Sequence, residues 1–289
     1  MRFEQYYEPK TTEECIRLLE EYGADCKILA GGTDLVPRLK NKIWRPQAVI
    51  GIGSLPDIDT IKVDQNGLEL GACAKLRKIS MDPSLAKDYK VIMEAAGNVS
   101  SMQIRNVATI GGNACNASPS ADAIHGLIAM GAKAVIAGPE GVREVAVEDL
   151  FAGPGKTVLT RGELLLKFKV EAPKAGTGAV YKKFAIRGDT DISIVGVGCG
   201  ITLKDDGTIE AVRISLSAVA PKPIRAAEAE KLLLGKKLTD ELLDLAAETA
   251  ENNCTPITDQ RATAAYRKEM VRVWTRHAVK EAYERAKSV

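Results

Sequence analysis

Near the start of the chain, Cys15, Leu18, Leu19 and Tyr22 recur at helical spacing behind Thr11-Thr12-Glu13-Glu14, which has the form of a capping box. Gly23 supplies the stop. The apolar run Lys27-Ile28-Leu29-Ala30 predicts a buried strand entering Gly31-Gly32-Thr33-Asp34, and a second strand is expected over 47–52. Asn66-Gly67, set between Ile61-Lys62-Val63 and Leu68-Glu69-Leu70, predicts a hairpin. A helix over 89–99, a loop at Thr109-Ile110-Gly111-Gly112-Asn113-Ala114, a helix over 121–130 and a strand over 132–137 follow. Small and turn-forming residues across 172–178 then mark a domain boundary. Beyond it the pattern predicts strands over 179–185, 192–203 and 210–219, with a turn at Asp205-Asp206-Gly207. Helices over 226–234, 240–252 and 259–286 close the chain. The succession is α+β in two or three pieces, not a regular βαβ series.

The 289 residues suit about two domains. Hydrophobic residues at 45% and charged residues at 27% have the proportions of a soluble globular protein. A net charge of +2 gives no footprint for nucleic acid or another polyanion. No apolar run is long enough for a membrane span, and the start, Met1-Arg2-Phe3-Glu4-Gln5, has no signal-peptide core, so a cytoplasmic location is expected. Only 2 histidines are present, and the 6 cysteines are too scattered for metal-ligand spacing. The thiols are expected to be reduced and mostly buried. His125 is expected to be a satisfied structural histidine, and His277 to lie at the surface or an interface. Glycine, at 25 residues, is the plentiful type, which points to a cofactor held by backbone.

Most glycine clusters fail the familiar nucleotide motifs. Gly153-Pro154-Gly155-Lys156-Thr157 ends like a phosphate-binding loop, but Leu150 stands where its first glycine is required. Gly196-Val197-Gly198-Cys199-Gly200 lies within a strand-like run and opens no helix, and Gly51-Ile52-Gly53-Ser54-Leu55-Pro56 ends on proline. Two loops are better candidates. Ala30-Gly31-Gly32-Thr33-Asp34-Leu35 follows a strand and allows successive N–H groups to converge on an anion, with the Thr33 hydroxyl as a further donor. Thr109-Ile110-Gly111-Gly112-Asn113 repeats the arrangement, and Asp122 follows at a helix start. Each loop, read alone, is as compatible with a tight structural turn as with an anion cradle.

Five blocks in order resemble a known family. Ile28–Lys40 (ILAGGTDLVPRLK), Ala108–Gly141, Asp149–Val170, Tyr181–Gly198 (YKKFAIRGDTDISIVGVG) and Asp259–Trp274 are similar to the FAD-binding subunits of molybdenum hydroxylases, the flavoproteins of carbon monoxide, xanthine and nicotinate dehydrogenases. The resemblance implies an FAD-binding domain of the vanillyl-alcohol-oxidase or PCMH type over 1–174, in subdomains of about 1–55 and 56–174. A C-terminal α+β domain of the carbon monoxide dehydrogenase flavoprotein type would follow over 175–289. It further implies that Lys27, Ile28, Leu29, Ala30, Gly31, Gly32, Thr33, Asp34 and Leu35 wrap the FAD diphosphate. Thr109, Gly112 and Asn113 would continue those contacts, and Asp122 would take a ribose or adenosine-side hydroxyl. Ser100 and Leu165 match cofactor-touching positions, and Lys183 and Asp191 match polar positions near the isoalloxazine. Val99 stands where some relatives place an aromatic, with Tyr181 the alternative source of a ring face.

The function implied is electron transfer: FAD takes electrons from a small [2Fe–2S] subunit served by a large molybdenum-cofactor subunit, and passes them to NAD⁺ or another acceptor. A dimer of heterotrimers, and no iron–sulfur cluster in this chain, belong to the same expectation. The alternative is a stand-alone flavin-dependent oxidoreductase of the same fold, disfavoured because the C-terminal third offers no obvious catalytic set.

Overall fold

The computed structural model describes residues 3–188 and 190–288; Met1, Arg2, Asp189 and Val289 lie outside the described residues, and with them the first two positions of the chain start considered above. Among the described residues there are three larger sheets and a two-stranded one. The first is a small parallel sheet in the order β1-β3-β2, from β1 (Gln5–Tyr7), β2 (Cys26–Leu29) and β3 (Ala48–Gly51). Helix α1 (Thr12–Tyr22) connects the first two strands. Thr11 caps it by accepting from the Glu14 N–H at 3.1 Å, and Gly23, at φ 52°, ends it. After β2 the chain turns through the first glycine loop into α2 (Leu35–Lys40). Strand alternation sends Ile28 and Ala30 toward the main core, while Leu29 packs with Leu35, Leu39 and Val49 beneath α2.

The second sheet is antiparallel, in the order β4-β5-β10-β6-β7. The expected hairpin is its edge: β4 (Ile61–Asp64) pairs with β5 (Gly67–Gly71) in the register Ile61 to Leu70. Helices α3 (Leu76–Met81), α4 (Lys90–Gly97), α5 (Met102–Arg105), α6 (Ile110–Cys115) and α7 (Ala123–Ala129) follow, then β6 (Lys133–Gly138) and β7 (Gly141–Ala146). The Gly153–Lys156 turn joins the short strands β8 (Phe151–Gly153) and β9 (Lys156–Thr157), as a turn reading of that cluster requires. The centre of the sheet is β10 (Leu164–Glu171), which the alternation pattern did not single out. Its Leu-Leu-Leu start is an apolar run without period, and only from Lys167 does the strand alternate, with Phe168 and Val170 buried between half-buried Lys167 and Lys169 and exposed Glu171.

The third sheet is an antiparallel meander of β11 (Thr177–Phe184), β12 (Val195–Leu203), β13 (Ile209–Ser217) and β14 (Ile224–Arg225). Helices α8 (Ala227–Leu233), α9 (Asp240–Asn252) and α10 (Ala264–Lys287) cover one face. Helix α10 begins five residues later than its apolar spacing suggests. Asp259 draws its own loop tight instead, accepting from the Arg261 N–H at 2.9 Å and from Arg267 at 2.9 Å, and Thr263 caps the helix.

The other face of this sheet receives α4 and α7 from the preceding half of the chain. That contact explains the glycine run Gly196–Gly200. A Cβ on Gly198 would lie 2.6 Å from the His125 carbonyl oxygen, and one on Gly200 would lie 2.1 Å from that of Ala129. Alternate glycines leave one face of β12 bare, so α7 rests directly on the strand backbone. Apart from Thr202, every residue of β12 is buried. The apolar core divides into a cluster running from Cys15 to Val170, with Tyr181, and a second drawn from 180–286.

Candidate cofactor site

Between the first two sheets lies a cavity of about 610 Å³. The first glycine loop forms one wall: Lys27, Ile28, Ala30, Gly31, Gly32, Thr33, Asp34 and Leu35 all line it. Among the described residues, no carbonyl or side chain accepts from the N–H groups of Gly31, Gly32, Thr33 and Asp34, whereas the Gly32 carbonyl is taken by the Val36 N–H at 2.9 Å. Glycine is required twice here. At Gly31 a Cβ would meet the Val107 carbonyl oxygen at 2.2 Å, and Gly32 has φ 73°. A row of unused donors facing a cavity is a ready anion site.

The second glycine loop departs from that description. It is not a loop but α6, with Thr109 as its N-cap accepting from the Gly112 N–H at 3.1 Å. The Ile110 and Gly111 N–H groups go to the carbonyls of Ala74 and Ala72 at 3.0 and 2.8 Å, and that of Asn113 to Thr109 at 2.9 Å. These donors are spent on structure, so the expected second N–H cradle is absent from this segment. What it offers instead is side chain: Thr109, Gly112 and Asn113 line the cavity, and Asn113 Oδ1 is buried without a hydrogen-bond partner. An enclosed unsatisfied carboxamide oxygen suits a ligand donor.

Ser100 and Leu165 also line the cavity, as does Val99. Asp122, Lys183 and Asp191 do not; nor does Leu29. Asp122 Oδ1 accepts from the hydroxyls of Tyr181 at 2.6 Å and Ser193 at 2.5 Å, and its Oδ2 from Lys183 at 2.8 Å. This is a buried network joining the start of α7 to β11, adjacent to the cavity rather than within its wall. Its Tyr181 is likewise removed from the lining; burial and the Asp122 charge push its phenol well above the ordinary value. Asp191 accepts from the N–H groups of Ile186, Arg187 and Ile192 at 3.0, 2.9 and 3.0 Å; the Arg187 N–H leads in holding its carboxyl below the usual range.

His125, expected to be satisfied, is fully buried with neither ring nitrogen partnered, and its ring stacks on Tyr181 at 6.0 Å. Burial lowers its pKa to about 3, so it is a neutral ring filling the core beneath α7. His277 is exposed, and five of the six cysteines are buried. The sixth, Cys115, has its open surface on the cavity wall, where desolvation raises the thiol to about 12.

Several wall residues carried no sequence signal. Trp44 lines the cavity with the Lys27 ammonium 5.3 Å and the Arg38 guanidinium 4.3 Å from its ring centre. Arg38 also reaches Asn116 Oδ1 at 3.1 Å, tying α2 to the end of α6. The 160–165 stretch closes the far wall. Arg161 Nε donates to the Glu20 carbonyl at 2.9 Å, and Glu163 is bound by Arg143 at 2.5 and 2.8 Å, which holds its carboxyl down to about 2. Arg161 and Glu163 meet partners 141 and 20 residues away, and no local motif announces them.

Residues 1–174 match the family of the FAD binding domain in molybdopterin dehydrogenase, and residues 179–282 match the CO dehydrogenase flavoprotein C-terminal domain. The chain belongs to this flavoprotein family. FAD is therefore its cofactor, and the unused loop donors, the glycine close approach and the orphaned Asn113 oxygen fit such a ligand. The flavoprotein is 33% identical over 277 residues to the glyceraldehyde dehydrogenase medium chain of Sulfolobus acidocaldarius, covering 96% of this chain and 97% of that one. It is 32% identical to the carbon monoxide dehydrogenase medium chain of Hydrogenophaga pseudoflava, covering 98% of each. The solved carbon monoxide dehydrogenase of that organism, in a form lacking the Mo-pyranopterin moiety, has a chain that superposes on the flavoprotein with a TM-score of 0.93, at 33% identity and over 99% of this chain and 98% of that one. No helix among the described residues is long and apolar enough to cross a membrane.

Proposed function

We propose that the flavoprotein is the electron-transfer subunit of a molybdenum-containing dehydrogenase, taking electrons from the [2Fe–2S] clusters of a small partner and delivering them to NAD⁺ or another acceptor. A large molybdenum-cofactor subunit would perform the substrate chemistry, and the assembly would be a dimer of heterotrimers in the cytoplasm. The observation that carries this reading is the first glycine loop, which lines the cavity with N–H groups that no acceptor takes among the described residues, in a chain that aligns over nearly its whole length with medium chains of such enzymes.

When bound, FAD supplies the redox chemistry. In this reading the chain positions it. The N–H groups of Gly31 to Asp34 and the Thr33 hydroxyl hold the diphosphate; Thr109, Gly112 and Asn113 extend those contacts. Val99, Ser100, Ile104 and Leu165 shield the remaining wall from water. Lys183, Asp122 and Asp191 act from the adjoining network. Residues 1–174 form the cofactor domain and 175–289 the C-terminal domain that packs over α4 and α7. Medium chains of glyceraldehyde and carbon monoxide dehydrogenases are about equally similar to it, which leaves the substrate to the large subunit's identity.

The visible spectrum of the purified chain tests the proposal. Flavin absorbance that bleaches with NADH, without turnover of organic substrates by the isolated chain, is expected. Turnover of an organic substrate by the chain alone would move it to the stand-alone oxidoreductases. Co-purification with one large molybdenum protein and one small iron–sulfur protein is the companion expectation.

A further inference from the structure

The Asn98-Val99-Ser100 turn, between α4 and α5, forms part of the cavity wall through Val99 and Ser100. Ser100 has φ 47°, left-handed backbone that a non-glycine residue adopts only when its surroundings enforce it. Three successive carbonyls show what enforces it. Lys183 Nζ donates to the Asn98 oxygen at 2.9 Å, while Arg105 Nη1 donates to the Val99 and Ser100 oxygens at 3.0 and 2.7 Å. Lys183 is anchored in turn: its other two donors go to Asp122 Oδ2 at 2.8 Å and the Asp191 carbonyl at 2.7 Å, and its side chain is 5% exposed. An ammonium has three hydrogens, and all three are used within the protein.

We propose that Lys183 and Arg105 are positioning residues that hold the 98–100 turn in its left-handed form against the flavin site, with Lys183 acting on the cofactor only through that turn. This rests on the cavity being the FAD site. Lys183 comes from β11 and Arg105 from the end of α5, so the wall is clamped from two sides. A lysine contacting the flavin directly would need a free donor, and this one has none.

A double-mutant cycle on the full chain tests the pins, reading FAD affinity and amide hydrogen exchange over residues 97–105 without FAD. Arg105→Gln should weaken FAD binding about tenfold and speed exchange in the turn, and Arg105→Lys should recover most of the loss. In a Ser100→Gly background, where left-handed backbone carries no steric penalty, the same Arg105→Gln change should lose less than about threefold. Lys183→Met would strand the buried Asp122 charge, so it is made together with Asp122→Asn; that pair should also lose less in the Ser100→Gly background. Equal losses in both backgrounds would overturn the proposal, and for the Lys183 pair would mean direct contact with the cofactor. Unchanged exchange in Arg105→Gln would overturn it as well. If the unsubstituted chain takes up no FAD, the cofactor-site reading fails instead, and exchange still decides whether the pins hold the turn.

Discussion

His125 shows what a single side chain contributes when it is enclosed without partners. Its ring stays neutral in the folded protein down to about pH 3, whereas in the unfolded chain it binds a proton near the ordinary value of 6.5. Between those values the unfolded state holds more protons, so stability declines as pH falls. Urea unfolding at pH 7 and pH 5 should show wild type losing up to about 1.4 kcal/mol per pH unit more than His125→Phe, which keeps the stack on Tyr181 without the titration. Parallel pH profiles for the two proteins would show that the ring is solvated. At the cofactor wall, Gly31→Ala drives a Cβ into the Val107 carbonyl. That variant should fold but lose FAD by at least about a hundredfold in a titration followed by flavin fluorescence. The residue scale was readable in sequence where chemistry is local. Gly31, Gly32 and Thr33 lie together in one loop, and they line the cavity together. Trp44 was silent because a single tryptophan beside Lys27 and Arg38 makes no motif, and Arg161 and Glu163, though inside the 149–170 block, were silent because their partners lie 141 and 20 residues away. Asp122 and Lys183 stood out as polar positions, but a sequence does not show that their atoms are consumed by one another.

Among the elements, β12 and α7 are the pair whose fit depends most on what is missing. Adding a methyl group at Gly198 or Gly200 forces the helix off the strand or bends the strand away. Either substitution to Ala should therefore destabilise the protein by about 1–3 kcal/mol in urea unfolding, the usual cost of overpacking. Loss of the flavin environment in the visible spectrum should accompany it, because α7 starts at Asp122 and its displacement pulls on the Lys183 network. The C-terminal helices and the strands β11, β12 and β13 were legible, the strands as long apolar runs bounded by turn residues, whereas the two-residue β14 was not. Helix α6 and strand β10 were not. Helix α6 is a short turn stabilised by a Thr109 cap and by Gly111 lying against Ala72, and β10 opens on the unperiodic run Leu164-Leu165-Leu166 with a bulge between Leu165 and Lys167, so that only its second half alternates.

For the molecule as a whole, ion pairs stitch the two halves: Arg285 to Glu94 at 2.7 Å, Arg225 to Glu148 at 2.9 Å and Lys183 to Asp122 at 2.8 Å. A ligand held between the first two sheets adds to that cohesion by mass action. At about a hundred times its dissociation constant, FAD should stabilise the chain by roughly 2.7 kcal/mol. Stripping the flavin should then lower the melting temperature by on the order of 5 °C, and adding FAD back should restore it. The fold class and the family were visible from ordered blocks spread along the sequence; the architecture of the cavity was not, because its walls are assembled from far apart. The Arg161 guanidinium reaches a carbonyl 141 residues earlier in the chain. This has a consequence for biosynthesis. A nascent chain that has emerged only as far as α2 already carries the loop donors, but neither the 107–108 backbone that packs against Gly31 nor the wall at Leu165. Cofactor capture must wait for β10 to leave the ribosome, so chains stalled before that strand should remain colourless, and yellow colour reports a finished N-terminal half.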